Sequence, residues 1–180
     1  MKKLLILITL LASFGCANDH NQTKESNQTE ESQQTFQLTT IDDQNISAVI
    51  TGNHIQLEKS NDKVVFLLFF GHNCKPCLKE IPLLKKLMDK KHDDLTLLAT
   101  DIHGYNKKDL TKFKEEKGIN YPLLTREENK MFIKFIKVKS NWHGSLPFLL
   151  VLNKKGEVKL AHRGALSLEK FEKIYQIMKK

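Results

Sequence analysis

Residues 64–77 read VVFLLFFGHNCKPC. The first seven are apolar without interruption and end at a glycine, and such a short run predicts a strand buried on both faces. Pro76 then stands where a helix tolerates proline best, in its first turn, and apolar residues recur at helical spacing beyond it. We therefore expect Cys74 and Cys77 to lie where a buried strand passes into the N-terminus of a helix.

That position gives the cysteine pair a chemical role. Unpaired N–H groups and the positive end of the helix dipole stabilise a thiolate, and Lys75 adds a positive charge between the two cysteines. Cys74 is thus the predicted nucleophile. Cys77, three residues on and on the same helix face, is the predicted resolving thiol of a dithiol–disulfide exchange that needs no cofactor.

The N-terminus has the pattern of an export signal over residues 1–16. Lys2 and Lys3 precede a mainly apolar run that is too short for a permanent membrane span, which takes ~20 residues. Cys16 follows a glycine at the end of this segment and resembles the lipidated cysteine of bacterial lipoproteins. Ordinary cleavage after Ala17 is the alternative.

Residues 17–35 are polar, with no side chain large enough to begin a hydrophobic core, and we expect them to be a disordered tether. The folded domain is expected over residues 36–180. The net charge is +8 for the whole chain and +9 for that domain, since residues 1–35 hold three lysines and four acidic residues. The lysines are scattered without interleaved aromatics, which argues against nucleic-acid binding, whereas anionic head groups near a membrane would attract such a domain.

The order of expected strands and helices in this domain predicts an α/β fold, with a mixed central sheet flanked by helices and an N-terminal β-hairpin extension. The hairpin is expected at 46–50 and 54–57, the buried strands at 64–70, 95–99 and 147–152, a strand at 157–161, and the helices after Cys74, at 107–117, at 127–138 and from Ser167. The segment 119–123 is expected to be an extended link. We find no internal repeat.

Four features make residues 36–180 resemble the thioredoxin fold, and in particular its membrane-tethered TlpA/ResA-like thiol-disulfide oxidoreductases. They are the Cys-Lys-Pro-Cys motif after a buried strand, Glu80 with Pro82 in the next helix, Leu146-Pro147 before the strand pair, and Gly164 before the last helix.

The resemblance implies two further catalytic residues. Pro147 would be the cis-proline beside the cysteine pair, where neighbouring backbone groups bind an extended substrate segment. Glu80 would lie in the active-site cavity and modulate thiol protonation; otherwise it is an ordinary surface glutamate in the first turns of a helix. An apolar residue before the proline, here Leu146, is typical of the reducing members.

Two positions depart from the family pattern. Asn73 stands where the family usually has tryptophan, and Leu68 stands where cytoplasmic thioredoxins have a buried aspartate. We hypothesise that Trp142 and His143 fold over the site in place of the missing aromatic. The expected partner-contacting surface consists of His72, Asn73, Lys75, Pro76, Trp142 and Leu146. In it, His72 either assists proton transfer or is a solvated loop residue.

The resemblance implies an extracytoplasmic reductant of disulfides in exported cysteine-containing proteins, for example the haem-attachment thiols of apocytochrome c. Because that compartment is oxidising, a membrane thiol reductase would have to supply electrons. A disulfide oxidase or isomerase is one alternative. A metal-binding or metal-delivery protein that uses Cys74, Cys77 and a histidine is another, although zinc wants four ligands and the chain has no second cysteine pair.

Overall fold

The computed structural model describes residues 32–91 and 93–180. The predicted signal, Cys16 and most of the predicted tether lie outside them. The elements are β1 (Gln34–Thr39), β2 (Asn45–Thr51), β3 (His54–Leu57), β4 (Val64–Phe70), α1 (Lys75–Lys91), β5 (Leu95–Asp101), α2 (Lys107–Lys117), β6 (Leu123–Thr125), α3 (Lys130–Lys139), β7 (Phe148–Leu152), β8 (Val158–Arg163) and α4 (Leu168–Met178).

The main sheet has five strands in the order β6-β5-β4-β7-β8. Strands β4, β5 and β6 run parallel, while β7 is antiparallel to β4 and β8 is antiparallel to β7. The predicted mixed sheet is therefore confirmed, with β4 at its centre. All seven residues of β4 are buried, as its apolar run predicts.

Alternate residues of β4 enter two different hydrophobic cores. Phe66, Leu68 and Phe70 face the core formed with α1, α2 and α4. Val65, Leu67 and Phe69 face the core formed with α3 and the N-terminal strands. This alternation follows from the strand's two-residue side-chain period, and it leaves the end of β4 held rigidly between two layers.

The predicted hairpin is present as β2 and β3, and β1 pairs with β2 to make a three-stranded antiparallel sheet. Strand β1 begins at Gln34, two residues before the expected start of the domain. This sheet is joined to the main one by backbone hydrogen bonds, including one of 2.8 Å from the Ile55 N–H to the Gly156 carbonyl.

Several sequence-based boundaries were wrong, and two of them change the description of the fold. The expected extended link continues into a third parallel strand, β6, whose register places Leu123 opposite Ala99. Helix α3 begins at Lys130 rather than Glu127, because Glu128 and Asn129 form a turn bonded to Thr125.

Among the described residues, every buried apolar residue of both cores lies between Leu38 and Tyr175. The chain from Glu31 to Lys180 forms one compact unit, which contains both of these cores. Within the described ranges, no helix combines the length and the apolar character needed to cross a membrane.

Candidate active site

Cys74 and Cys77 form a disulfide at the start of α1, with their Cα atoms 5.2 Å apart. Cys74 immediately precedes the first residue of the helix and is half-buried, whereas Cys77 is only 2% exposed. A substrate disulfide can therefore reach the sulfur of Cys74 but not that of Cys77. Attack by Cys74 and resolution by Cys77 stay predictions, and both require a difference in access of this kind.

Backbone groups hold the Cys74 sulfur at the helix N-terminus. The Cys74 N–H donates to the Gly71 carbonyl at 3.0 Å, and the Cys74 carbonyl accepts from the Leu78 N–H at 3.0 Å. The N–H of Cys77 points at the Cys74 sulfur, 3.4 Å away. After reduction, the same donor and the helix dipole would stabilise a thiolate on Cys74.

Pro147 lies beside the cysteine loop, and its peptide bond with Leu146 is cis. Strand β7 begins directly after it, and Phe148 pairs with Phe69 near the end of β4. This register places Pro147 next to the carboxyl end of β4, where the loop to Cys74 starts. Its carbonyl accepts from the Gly164 N–H at 2.9 Å, while Leu146 is half-buried against both cores.

Glu80 is 2% exposed and lies one helical turn after Cys77. One carboxylate oxygen accepts a hydrogen bond of 2.6 Å from the Leu166 N–H. The other has no partner among the described residues. Burial raises the pKa of Glu80 to about 7, and the Leu166 hydrogen bond offsets only part of that effect. The alternative of an ordinary surface glutamate is therefore wrong.

Tyr121 is the second buried titratable group on this side of the sheet. It is 3% exposed, and its pKa is raised first by burial and then by the negative charge of Glu80. The phenol therefore stays neutral at physiological pH.

Asp101, at the end of β5, organises the loop on the other side of the cysteine pair. Its carboxylate is fully buried. It accepts backbone N–H bonds from His72 at 2.9 Å, His103 at 3.4 Å, Gly104 at 3.0 Å and Tyr105 at 2.9 Å. Sequence reasoning assigned no role to Asp101, which lies just beyond the strand expected at 95–99. The feature of the sequence that could have identified it is an acidic residue at the carboxyl end of the strand that runs parallel to β4.

His72 is held by Asp101 rather than free in solvent. Its Nδ1 lies 3.2 Å from the Asp101 carboxylate, and its side chain is 14% exposed. The ring stacks on Tyr105 with a centroid separation of 3.4 Å and an interplanar angle of 4°. The alternative of a solvated loop residue is therefore wrong, whereas the place of His72 on the partner-contacting surface stays a prediction. His72 fixes the loop that leads to Cys74.

The expectation that Trp142 lies on the partner-contacting surface is also wrong. It is 1% exposed and packs against Phe69 and Phe148, with ring centroids 4.9 and 4.6 Å away. Its Nε1 donates to the Ser145 carbonyl at 2.8 Å. Because the ring lies in the core, it does not cover the cysteines as a substitute aromatic. It supports the segment that leads to Pro147.

The remaining predicted surface residues are accessible. Asn73, Lys75 and Pro76 are exposed around the half-buried Cys74. The Oδ1 of Asn73 is in hydrogen-bond contact with Nδ1 of His103, which ties this rim to the loop after β5. In the described part of the chain, no three His, Cys, Asp or Glu side chains are grouped as a metal ion would require.

Comparisons with known proteins find one matching family and several related thiol-disulfide oxidoreductases. The model of the AhpC/TSA family matches residues 23–161. The chain is 28% identical over 131 residues to the thiol-disulfide oxidoreductase ResA of Geobacillus kaustophilus, covering 72% of this chain and 71% of the relative. It is 26% identical over 133 residues to ResA of Halalkalibacterium halodurans, covering 72% and 70%.

The solved structure of StoA from Bacillus subtilis is similar, with a TM-score of 0.58 and 19% identity over 78% of this chain and 95% of that one. This likeness shows a thioredoxin-like fold. The disulfide-forming pair at the helix N-terminus and the ResA relatives make the chain a thiol-disulfide oxidoreductase that acts by dithiol–disulfide exchange. By the family model, which covers most of the chain, the chain belongs to the AhpC/TSA family.

Proposed function

We propose that the chain reduces disulfides of exported proteins outside the cytoplasm. The observation that carries this proposal is the unequal access of the two sulfurs: Cys74 is half-buried at a helix N-terminus, whereas Cys77 is 2% exposed. An accessible, stabilised thiolate attacks, and a buried thiol that is out of reach of other disulfides resolves.

The reaction transfers two electrons in two exchanges. The Cys74 thiolate attacks one sulfur of the substrate disulfide, forms a mixed disulfide and releases the other substrate sulfur as a thiolate. Cys77 then loses its proton and attacks the Cys74 sulfur. This step releases the second substrate thiolate and leaves the Cys74–Cys77 disulfide seen in the structure.

Glu80 supports the second step as a proton acceptor. Cys77 must lose a proton in a place that water does not reach easily, and the buried carboxyl lies one turn away on the same helix. With a pKa of about 7, Glu80 exchanges protons readily at neutral pH. Regeneration needs two electrons from another dithiol, and we assign that role to a membrane thiol reductase.

The substrate segment would lie extended along Pro147, with its cysteine over the exposed rim of Asn73, Lys75 and Pro76. Apocytochrome c is a fitting substrate, because its haem-attachment cysteines lie two residues apart in one short segment. Export by residues 1–16, lipidation at Cys16 and a tether over residues 17–35 would place the domain at a membrane surface.

Trapping of the mixed disulfide tests this proposal. A Cys77→Ser variant, reduced and mixed with an oxidised peptide that contains a Cys-x-x-Cys-His segment, should accumulate a covalent adduct at Cys74. The matched Cys74→Ser variant should form no adduct. An adduct at Cys77 in the Cys74→Ser variant, at a rate equal to that of Cys77→Ser, would refute the assigned roles.

A further inference from the structure

Helix α3 has an outer surface that no other part of the described chain covers. Three large hydrophobic residues are strongly exposed among the described residues, and two of them, Met131 at 63% and Val138 at 73%, lie on this helix. Phe135 and Phe36 of β1 adjoin them, with ring centroids 5.2 Å apart. With Lys134 and Lys139, these residues line one shallow groove. We call the six residues the α3 face.

The charge around the α3 face has one sign. Helix α3 contains four lysines and no acidic residue: Lys130, Lys134, Lys137 and Lys139. Lys130 pairs with Glu127 at 2.8 Å. Within residues 32–91 and 93–180, the other three make no ion pair with a carboxylate. The helix therefore presents an apolar centre with a positive rim, three of whose lysines no described carboxylate pairs with.

Two lysines of helix α3 also contact aromatic rings. Nζ of Lys139 lies 5.8 Å from the Phe135 ring centroid, and Nζ of Lys137 lies 5.5 Å from that of Trp142. Both lysines are exposed, so each ammonium group lies beside an aromatic ring on a side chain that solvent can reach. Exposed lysines next to apolar side chains are typical of the boundary between a bilayer and water.

The chain enters the fold at the same place. Strand β1 begins at Gln34, and Gln34 itself lines the groove of the α3 face. The 33 residues that precede it in the sequence therefore join the domain beside Met131 and Val138. The α3 face is therefore next to the point where the preceding part of the sequence enters the fold.

We propose that the α3 face docks on the surface of an anionic lipid bilayer. Met131 and Val138 enter the interfacial layer, and Lys134, Lys137 and Lys139 contact lipid phosphates. The contact holds the domain in one orientation at the membrane, and it does not depend on the proposed reductase activity or on lipidation of Cys16.

The composition of the face favours lipid over a protein partner. Protein interfaces are anchored mainly by tryptophan, tyrosine and arginine, which fill pockets at the centre of the contact. The most exposed apolar residues here are methionine and valine, and the charged residues that line the groove are all lysines. A flexible apolar centre with several like charges suits a fluid, negatively charged surface.

Vesicle binding tests the proposal with residues 32–180, which span the compact unit with both cores and lack the predicted signal and Cys16. We expect cosedimentation with phosphatidylglycerol vesicles and none with phosphatidylcholine vesicles. The Lys134→Gln/Lys139→Gln variant should bind anionic vesicles roughly 25-fold more weakly, at about fivefold for each lysine near the surface. A Met131→Ser/Val138→Ser variant should also bind more weakly, with an unchanged thermal unfolding midpoint.

Helix α4 supplies matched controls, since it has two exposed lysines and the third exposed hydrophobic residue, Ile177 at 55%. Lys170→Gln/Lys173→Gln changes the net charge equally, and Ile177→Ser removes an equivalent side chain; both should bind as the parent does. Equal weakening by the two lysine pairs would overturn the proposal in favour of diffuse attraction. So would an absence of binding to anionic vesicles, or self-association of the parent fragment that the α3 variants abolish.

Discussion

The carboxylate of Glu80 accepts a hydrogen bond of 2.6 Å from the backbone N–H of Leu166, across 86 positions of sequence. The bond links α1, one turn after Cys77, to the segment that precedes α4. It fixes where the carboxyl lies without neutralising its charge. Because the second oxygen has no partner among the described residues, ionisation of Glu80 costs free energy in the folded protein.

The stability of the folded protein should therefore fall as pH rises. Burial raises the pKa of Glu80 from 4.5 to about 7, so between these values the folded state binds more protons than the unfolded state. The free energy of unfolding then declines across this range, by about 3 kcal/mol in total. Glu80→Gln should abolish that decline and be more stable than the parent at pH 8, as urea unfolding of the oxidised protein from pH 4 to pH 8 would show.

The control for this titration is Glu115→Gln, which removes an exposed carboxylate on α2. It should retain the decline of the parent protein. If Glu80→Gln retained the decline as well, the assignment of a near-neutral pKa to Glu80 would be wrong.

Asp101→Asn should destabilise the fold by about 2–3 kcal/mol. The Asp101 carboxylate accepts four backbone N–H bonds from the loops after β4 and β5, and bonds to a charged acceptor are among the stronger ones. An amide has one acceptor oxygen, and its NH2 group would face backbone N–H groups that a carboxylate oxygen accepts in the parent protein. Urea unfolding measures the loss. Asp62→Asn, at an exposed turn, should leave stability unchanged, and equal effects of the two substitutions would contradict this account of Asp101.

Trp142 should matter for stability rather than for partner docking. Trp142→Ala removes a ring that packs on Phe69 and Phe148 and should cost about 3–5 kcal/mol. Trp142→Phe keeps most of that packing and loses only the bond to Ser145. It should reduce a peptide disulfide at the rate of the parent protein in a stopped-flow assay. A rate lowered tenfold in Trp142→Phe, with stability retained, would contradict this account and show that the tryptophan takes part in the reaction with the partner.

Much of the fold could be predicted because local signals and packing agree. The helix expected at 107–117 is α2, since Asn106 accepts the Asp109 N–H and Gly118 adopts a left-handed conformation at φ 58°. The strand before the cysteines and the cis-proline expected from resemblance are also present. In each case a short stretch of sequence contains the whole signal.

The parts that were missed depend on contacts between distant residues. Strand β6 has three residues, too few for a periodic pattern, and exists because it pairs with β5. Asp101 and His72 are 29 positions apart, and the parallel register of β4 and β5 brings them together. Trp142 looks like a surface aromatic in a polar loop, and only the packing of Phe69 and Phe148 shows that it is core.

The reduction potential of the Cys74–Cys77 pair tests the proposed direction of electron flow most directly. It can be measured by equilibrating residues 32–180 with dithiothreitol buffers and trapping free thiols for mass spectrometry. We predict a potential near or below about −270 mV, as for thioredoxin, because a reductant must pass electrons on to its substrate. A potential near about −120 mV would mark a disulfide oxidant and contradict the proposed function.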